Sequence, residues 1–329
     1  MWPLLAVLLV LIAACAPSSA LGPETTVPLT LDPTTTLPVT TTLPVTTTTT
    51  KDSSPNFEEM AADGLVTPTG VVVAVLEQTA NGYLVRTPCG SEEVVSTGTP
   101  IAGVSVVVDP GHGGEVDTGA VGANGLMEKN LNLSLAQALE AKLIVRGVSV
   151  ILTRSGHYAS VLGTRTALAD HLGADLLLSV HHNAPTPGPS SQPGTEIFVQ
   201  HDSAESRRLG GLVWQHVMQA LSQFDVAWSA APDAGVLSVL STRGNDAYGI
   251  NRGPQTPSVL AELGYLSNPS EAELFATDEY VEAAAEALAD AVVAYLSTDD
   301  PGSGFIAEPR VFNPQPGLGG SSCVDPSLE

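Results

Sequence analysis

The sequence predicts an α/β fold: a mostly parallel twisted sheet with helices on both faces, preceded by a small β-rich unit and a disordered Thr/Pro-rich linker. Three observations lead there. From Ile101 to about residue 300, apolar runs of strand length alternate with longer segments of helical period. Runs with no polar alternation belong to strands buried on both faces, as in parallel sheets covered by helices. Upstream, TGVVVAVLEQTANGYLVRTPCG holds two β-type runs around Asn81-Gly82, a strong hairpin signal. Further upstream, TTTLPVTTTLPVTTTTT has too few core-forming residues to pack.

Taken in order, residues 1–20, MWPLLAVLLVLIAACAPSSA, read as a secretory signal, too short and wrongly flanked for a membrane span. Within it, Ile12-Ala13-Ala14-Cys15 resembles a bacterial lipobox, in which Cys15 becomes the lipidated first residue and anchors the chain to a membrane. Cleavage after Ala20 is the alternative. Residues 21–56 form the linker; about 40 extended residues reach at most roughly 130 Å, a tether into a surrounding wall. Residues 57–100 make the β-rich unit, too small to stand alone. Residues 101–300 hold the main domain. The tail, 301–329, is rich in Gly and Pro and is expected to be irregular.

Inside the main domain, IAGVSVVVDPG is a buried strand and EKNLNLSLAQALEAKLIVRG a helix stopped by Gly147. VSVILTR, ADLLLSVHHNA, TEIFVQH and PSVLAELGYLSN continue the strands. GTRTALADHLG, AESRRLGGLVWQHVMQALSQ and DEYVEAAAEALADAVVAYLS continue the helices. The segment AAPDAGVLSVLSTRGNDAYGIN reads as a loop able to fold over a cleft, and no extra helix that would block the site is expected between Asn183 and Ser258.

Composition limits the partners. Hydrophobic residues are 43% of the chain, enough for a sizeable core, and the formal net charge is −23, with 35 acidic residues against 12 Lys plus Arg. That balance speaks against nucleic acid or an anionic membrane surface as partner, since both call for basic patches. Of three cysteines, losing or lipidating Cys15 leaves Cys89 and Cys323. An even pair in an exported chain suggests a disulfide, here tying the tail back to the start of the folded region.

In open α/β sheets, sites form at the carboxyl ends of strands. One strand here runs into Asp109 and His112, a second into His181, His182 and Asn183, and a third delivers Glu262. Glu128 opens the helix beyond the first loop. Two histidines and a carboxylate from separate elements suit Zn²⁺ with a position left open for water. Strand alternation lets only one of His181 and His182 reach such a site. Taken singly, His112 is compatible with a hydrogen-bonded loop histidine, Glu128 with a first-turn carboxylate on the helix dipole, and Glu262 with a structural ion pair. No GxSxG elbow supports a serine nucleophile.

Four segments together, VVVDPGHGGEVDTGAVG, MEKNLNLSLAQAL, ADLLLSVHHNAP and SVLAELGYLSNPSEAELF, resemble the zinc-dependent N-acetylmuramoyl-L-alanine amidases of bacterial cell walls, of the type-3 class. Between them, ILTRSGHYASVLGTRTALAD is similar to the family's LTR and downstream arginine segment. The resemblance covers roughly Val104 to Ser297. It implies that His112, Glu128 and His181 bind one Zn²⁺ and that Glu262 is the catalytic glutamate. It also implies peptidoglycan as substrate, cleaved between N-acetylmuramic acid and L-alanine in the cell envelope. Asn183 and Arg165 are candidates for supporting roles, and a monomer is expected. Two rivals are a zinc carboxypeptidase or deacetylase acting on another wall amide, and a surface-tethered binding protein without catalysis.

Overall fold

The computed structural model describes residues 62–314 and 322–329. The predicted signal, Cys15 and the linker lie outside them. The chain first forms a five-stranded antiparallel sheet: β1 (Gly64–Val66), β2 (Val72–Thr79), β3 (Gly82–Arg86), β4 (Glu92–Val95) and β5 (Thr99–Ile101), in spatial order β4-β3-β2-β1-β5. The hairpin expected at Asn81-Gly82 is β2–β3, with Thr79 paired to Gly82, so Ala80 and Asn81 make the turn, one residue earlier than expected. The other three strands were not expected. They are three or four residues long, too short for a two-residue period to stand out.

The main domain follows. Its elements are β6 (Val106–Pro110), α1 (Glu128–Val145), β7 (Val150–Leu152), α2 (Leu162–His171), β8 (Leu176–Asn183), the short β9 (Pro189–Ser190), β10 (Glu196–Val199), α3 (Ala204–Leu221), the short β11 (Trp228–Ser229), β12 (Val236–Leu240), α4 (Gly249–Arg252), β13 (Ser258–Tyr265), α5 (Pro269–Phe275), α6 (Asp278–Ser297) and β14 (Arg310–Val311). Seven strands pair in the order β14-β12-β10-β13-β8-β6-β7. Every ladder is parallel except β10–β13, so the sheet is mostly parallel, as expected. Two expectations change. VLSVL, read as part of a loop, is the sheet strand β12, and the tail is not irregular throughout, because β14 pairs with β12 and extends the sheet edge.

Strand alternation divides the core in two. Val106, Val108, Leu176, Leu178, Val180, Ile197, Val199, Val259 and Ala261 face α1, α3 and α6. Val107, Leu177, Phe198, Leu237, Val239 and Leu260 face α2 and α4. Both faces are buried, which is why the strands read as continuous apolar runs. Helix α1 ends as Gly147 requires: Gly147 N–H donates to Ile144 O and Val148 N–H to Leu143 O, with Gly147 at φ +76°. Among the described residues no helix is long and apolar enough to cross a membrane.

The small sheet uses both its faces. Val73 and Val75 of β2 join Leu65, Val85 and Val95 in a separate core, while Ala74 packs into the α2 side of the main domain. Val161 N–H donates to Pro88 O, and Ser155 Oγ to Gly70 O. The end of the chain closes over this sheet. Cys323 is bonded to Cys89 across a sequence separation of 234, Leu328 enters the small core, and Asp325 accepts hydrogen bonds from Cys89 N–H and Thr87 Oγ1. The expected disulfide is therefore formed, and it ties the tail to the front of the folded region. Replacing both Cys89 and Cys323 with serine should lower the free energy of unfolding by about 2–5 kcal/mol. Denaturant titration checks this, and curves superimposable on wild type would refute it.

Candidate metal centre

The site begins where β6 stops. Asp109, the fourth residue of β6, is fully buried and accepts hydrogen bonds from Ser179 Oγ, Thr153 Oγ1 and Arg165 Nη1. Burial alone would raise its pKa, but the Arg165 guanidinium and the two hydroxyls outweigh burial and hold it at about 2. Gly111 N–H still donates to Val180 O of β8, and beyond it the chain turns away from the strand. His112 adopts φ +61°, alone among the described non-glycine residues. Such a conformation costs about 1 kcal/mol or more. Arg165 Nη2 donates to His112 O at 2.7 Å and holds it there.

Three side chains then meet. His112 Nδ1 lies 2.6 Å from Asp117 Oδ1, which leaves Nε2 facing Glu128 Oε2 at 3.1 Å. Glu128 is the first residue of α1, buried, where a carboxylate is favoured by the helix dipole. Its oxygens also accept from Ala120 N–H, Asn132 Nδ2 and His182 N–H. His181 Nδ1 lies 2.9 Å from Glu128 Oε1. One ligand atom from each of His112, Glu128 and His181 falls within 4.8 Å of the others. Two glycines make room: a Cβ on Gly111 would sit 2.1 Å from the His181 ring, and one on Gly119 would sit 2.5 Å from Glu128 Oε2. Glycine is thus the residue that lets backbone pass this close.

The chemistry of the set fits a cation. Burial favours the neutral His112 ring, yet its hydrogen bonds to the carboxylates of Asp117 and Glu128 prevail and push its pKa up to about 10. Glu128 itself is held well below the usual carboxylate range: burial opposes this, but the two histidines outweigh it. The pocket therefore favours positive charge. Two histidines and one carboxylate match the ligands of catalytic zinc sites, and the Asp117–His112 contact is the usual support for a ligating histidine.

Glu262 enters from β13, opposite His181 on β8 and Glu196 on β10. Its Oε2 is buried and has no hydrogen-bond partner among the described residues. Burial lifts its pKa well above the ordinary value, and the charges of Glu128 and Glu196 add to the lift. Glu196 is itself buried, accepting from Asn183 Nδ2 at 2.8 Å, Tyr265 OH at 2.7 Å and Arg310 Nη2. A cavity of about 910 Å³ takes in His112, His181 and Glu262 together. Its far wall comes from the turn after β12 and from Asn313 and Pro314 of the tail, so the stretch beginning at Ala230 does border the cleft.

Residues 106–294 match the family described as N-acetylmuramoyl-L-alanine amidase. The chain belongs to this family. It is 37% identical over 198 residues to the uncharacterized protein YqiI of Bacillus subtilis (strain 168), an alignment covering 60% of this chain and 86% of that one. It is 32% identical over 214 residues to the N-acetylmuramoyl-L-alanine amidase LytC of the same organism, covering 64% of this chain but 39% of LytC. Among solved structures, the crystal structure of N-acetylmuramoyl-L-alanine amidase from Clostridium difficile 630 superposes with a TM-score of 0.51 at 27% identity, covering 60% of this chain and 98% of that one. The family match ends before the tail that supplies Arg310, Asn313 and Pro314.

Of the residues expected from sequence, His112, Glu128 and His181 lie in one cluster, with Glu262 in the same cavity. His182 points to the other face, its ring nitrogens 2.8 Å from Asn132 Oδ1 and 2.6 Å from Tyr280 OH. Burial keeps it neutral, with a pKa lowered to about 3. Arg165 supports the loop, and Asn183 supports Glu196. Asp117, Asn132, Arg154, Glu196 and Arg310 were not singled out. Two outcomes follow. His181→Ala should abolish stoichiometric metal binding while His182→Ala keeps it at some cost in stability; metal analysis of both variants, with the opposite pattern, would overturn the assignment. Asp109 has a depressed pKa, so its stabilisation is present above about pH 4 and is lost as pH falls towards about 2, worth on the order of 2 kcal/mol. Acid titrations of wild type and Asp109→Asn should differ by that step; parallel curves would count against it.

Proposed function

We propose that the chain cleaves the amide between the lactyl carbonyl of N-acetylmuramic acid and the L-alanine of the peptidoglycan stem peptide, using zinc at His112, Glu128 and His181. The observation that carries this reading is the convergence of those three ligand groups with an unpartnered buried carboxylate, Glu262, in one cavity. Family membership supplies the substrate class. A bound zinc ion would supply Lewis acidity, polarising a carbonyl and acidifying water.

The chain's own residues perform the remaining tasks. Asp117 holds His112 in one ring orientation, and Asn132 and Ala120 N–H hold the Glu128 carboxylate. Glu262 lines the cavity, has a raised pKa and makes no side-chain hydrogen bond among the described residues, properties that suit a group taking a proton from water and returning it to the leaving amine. Glu196 stays tied to Arg310, Asn183 and Tyr265, which leaves Glu262 as the carboxylate with a free oxygen. The predicted domain limits follow this assignment, with residues 101–300 as the catalytic part. The protein acts in the cell envelope as an exported monomer, held to the membrane through Cys15.

Purified protein with zinc should release stem peptides from muramyl peptides, and a chelator should stop it. Glu262→Gln should reduce kcat by at least about a hundredfold while zinc content stays at one per chain. Intact muramyl peptides after long incubation with zinc, or full activity in the variant, would refute the reading.

A further inference from the structure

We propose that Arg243 is a specificity-determining residue that binds a carboxylate of the stem peptide beyond the scissile bond; the inference rests on the amidase reading above. The chain carries a formal −23, so its field opposes an anionic ligand. At the metal end the carboxylates of Asp117, Glu128 and Glu262 would be offset by the zinc of the amidase reading, so the acidic field is left unopposed only away from that end. Stem peptides carry carboxyl groups, and any such group needs a cation to offset this field.

Among the described residues, the cations are nearly all committed. Arg154 and Arg165 are buried, and backbone carbonyls together with Asp109 accept four hydrogen bonds from each. Lys129 Nζ donates to Gly114 O, Arg310 pairs with Glu196 and Asp233, and Arg252 Nη1 donates to Asp246 O and Ala247 O. Arg86, Lys142, Arg146 and Arg208 pair with carboxylates, and Arg207 lies over the Phe305 ring. Among the described lysines and arginines, only the Arg243 side chain makes no hydrogen bond, ion pair or ring contact, and it lines the cavity that contains His112, His181 and Glu262.

Its backbone, in contrast, is held in place. Ser241 N–H donates to Asn245 O, Gly244 N–H to Ser241 O, and Arg243 N–H to Ser241 Oγ. The tail braces the same turn: Thr242 N–H donates to Asn313 Oδ1, and Phe312 N–H to Leu240 O. An unpaired guanidinium on a braced turn at the cleft wall has the donor fork that carboxylates match.

The test measures binding separately from cleavage. Muramyl peptides are prepared with all stem carboxyl groups free, with only the α-carboxyl of the second residue converted to the carboxamide, or with only the carboxyl of the third residue so converted. Binding is measured to the full chain carrying Glu262→Gln, which keeps the ligand intact, with and without Arg243→Gln. The expected result is that one carboxamide weakens binding about fivefold, identifying the carboxylate read, and that Arg243→Gln abolishes the difference. Arg243→Lys should restore part of it, and raised salt should shrink it. Equal affinity for all three ligands, or a preference that survives in Arg243→Gln, overturns the proposal. Cleavage by the unmodified protein is followed in parallel. Failure there falls on the amidase reading, while the binding comparison still decides the role of Arg243.

Discussion

Two buried guanidiniums hold the loop on which the site depends. The chain leaving β6 must reverse through Pro110, Gly111 and His112, and their carbonyls have no strand partner. Each would cost about 1–3 kcal/mol if buried unpaired. Arg154 donates to Pro110 O, Gly111 O and Lys129 O; Arg165 donates to Pro110 O, His112 O and Asp109. The fixed fork of arginine allows one side chain to satisfy several carbonyls at set angles. Arg154 also joins the loop to the first turn of α1, so the backbone around His112 and Glu128 shares one anchor. Asp109 supplies the negative charge that makes a second buried cation tolerable.

The sheet then distributes the chemistry by parity. Residues two apart on a strand share a face, so Asp109, Ser179, His181, Leu260 and Glu262 all border the cavity. A one-residue slip of β8 would exchange His181 for His182 and place the wrong ring against Glu128. The antiparallel β10–β13 pair has a further effect. It sets Glu196 directly opposite Glu262, two carboxylates on adjacent strands. Arg310 offsets one of them from the tail, and the other, Glu262, keeps a buried oxygen with no hydrogen-bond partner among the described residues.

Much of this was legible in the sequence, for physical reasons that can be named. Strands buried on both faces are continuously apolar, and α1 is marked at its end by Gly147. Alternation admitted only one of His181 and His182 to the site, and the family resemblance pointed to His181. Asn132 was also within reach, since it lies one helical turn after Glu128, the spacing at which side chains share a face. Glu196 could have been flagged by the reasoning applied to Glu262, because a carboxylate in an apolar strand must find partners. Other features left no local signal. Asp117 lies in a glycine-rich loop whose path depends on tertiary contacts. VLSVL sits between Gly235 and a polar turn, and its strand character comes from pairing with β10. β14 is two residues long and exists because β12 offers an edge.

The small sheet, from Gly64 to Ile101, and the described tail after Ser297 lie outside the family match, and the Cys89–Cys323 bond joins one to the other. Neither supplies a ligand to the cluster. The tail does reach the cavity, through Arg310 on Glu196 and through Asn313, which braces the turn that carries Arg243. The ligand geometry is thus a property of the matched core, with its buried arginines and strand parity. The far wall of the cleft rests on parts that the core lacks. Changes in the tail should therefore act first on what the cleft admits, and changes around Arg154 and Arg165 on whether the ligands meet at all.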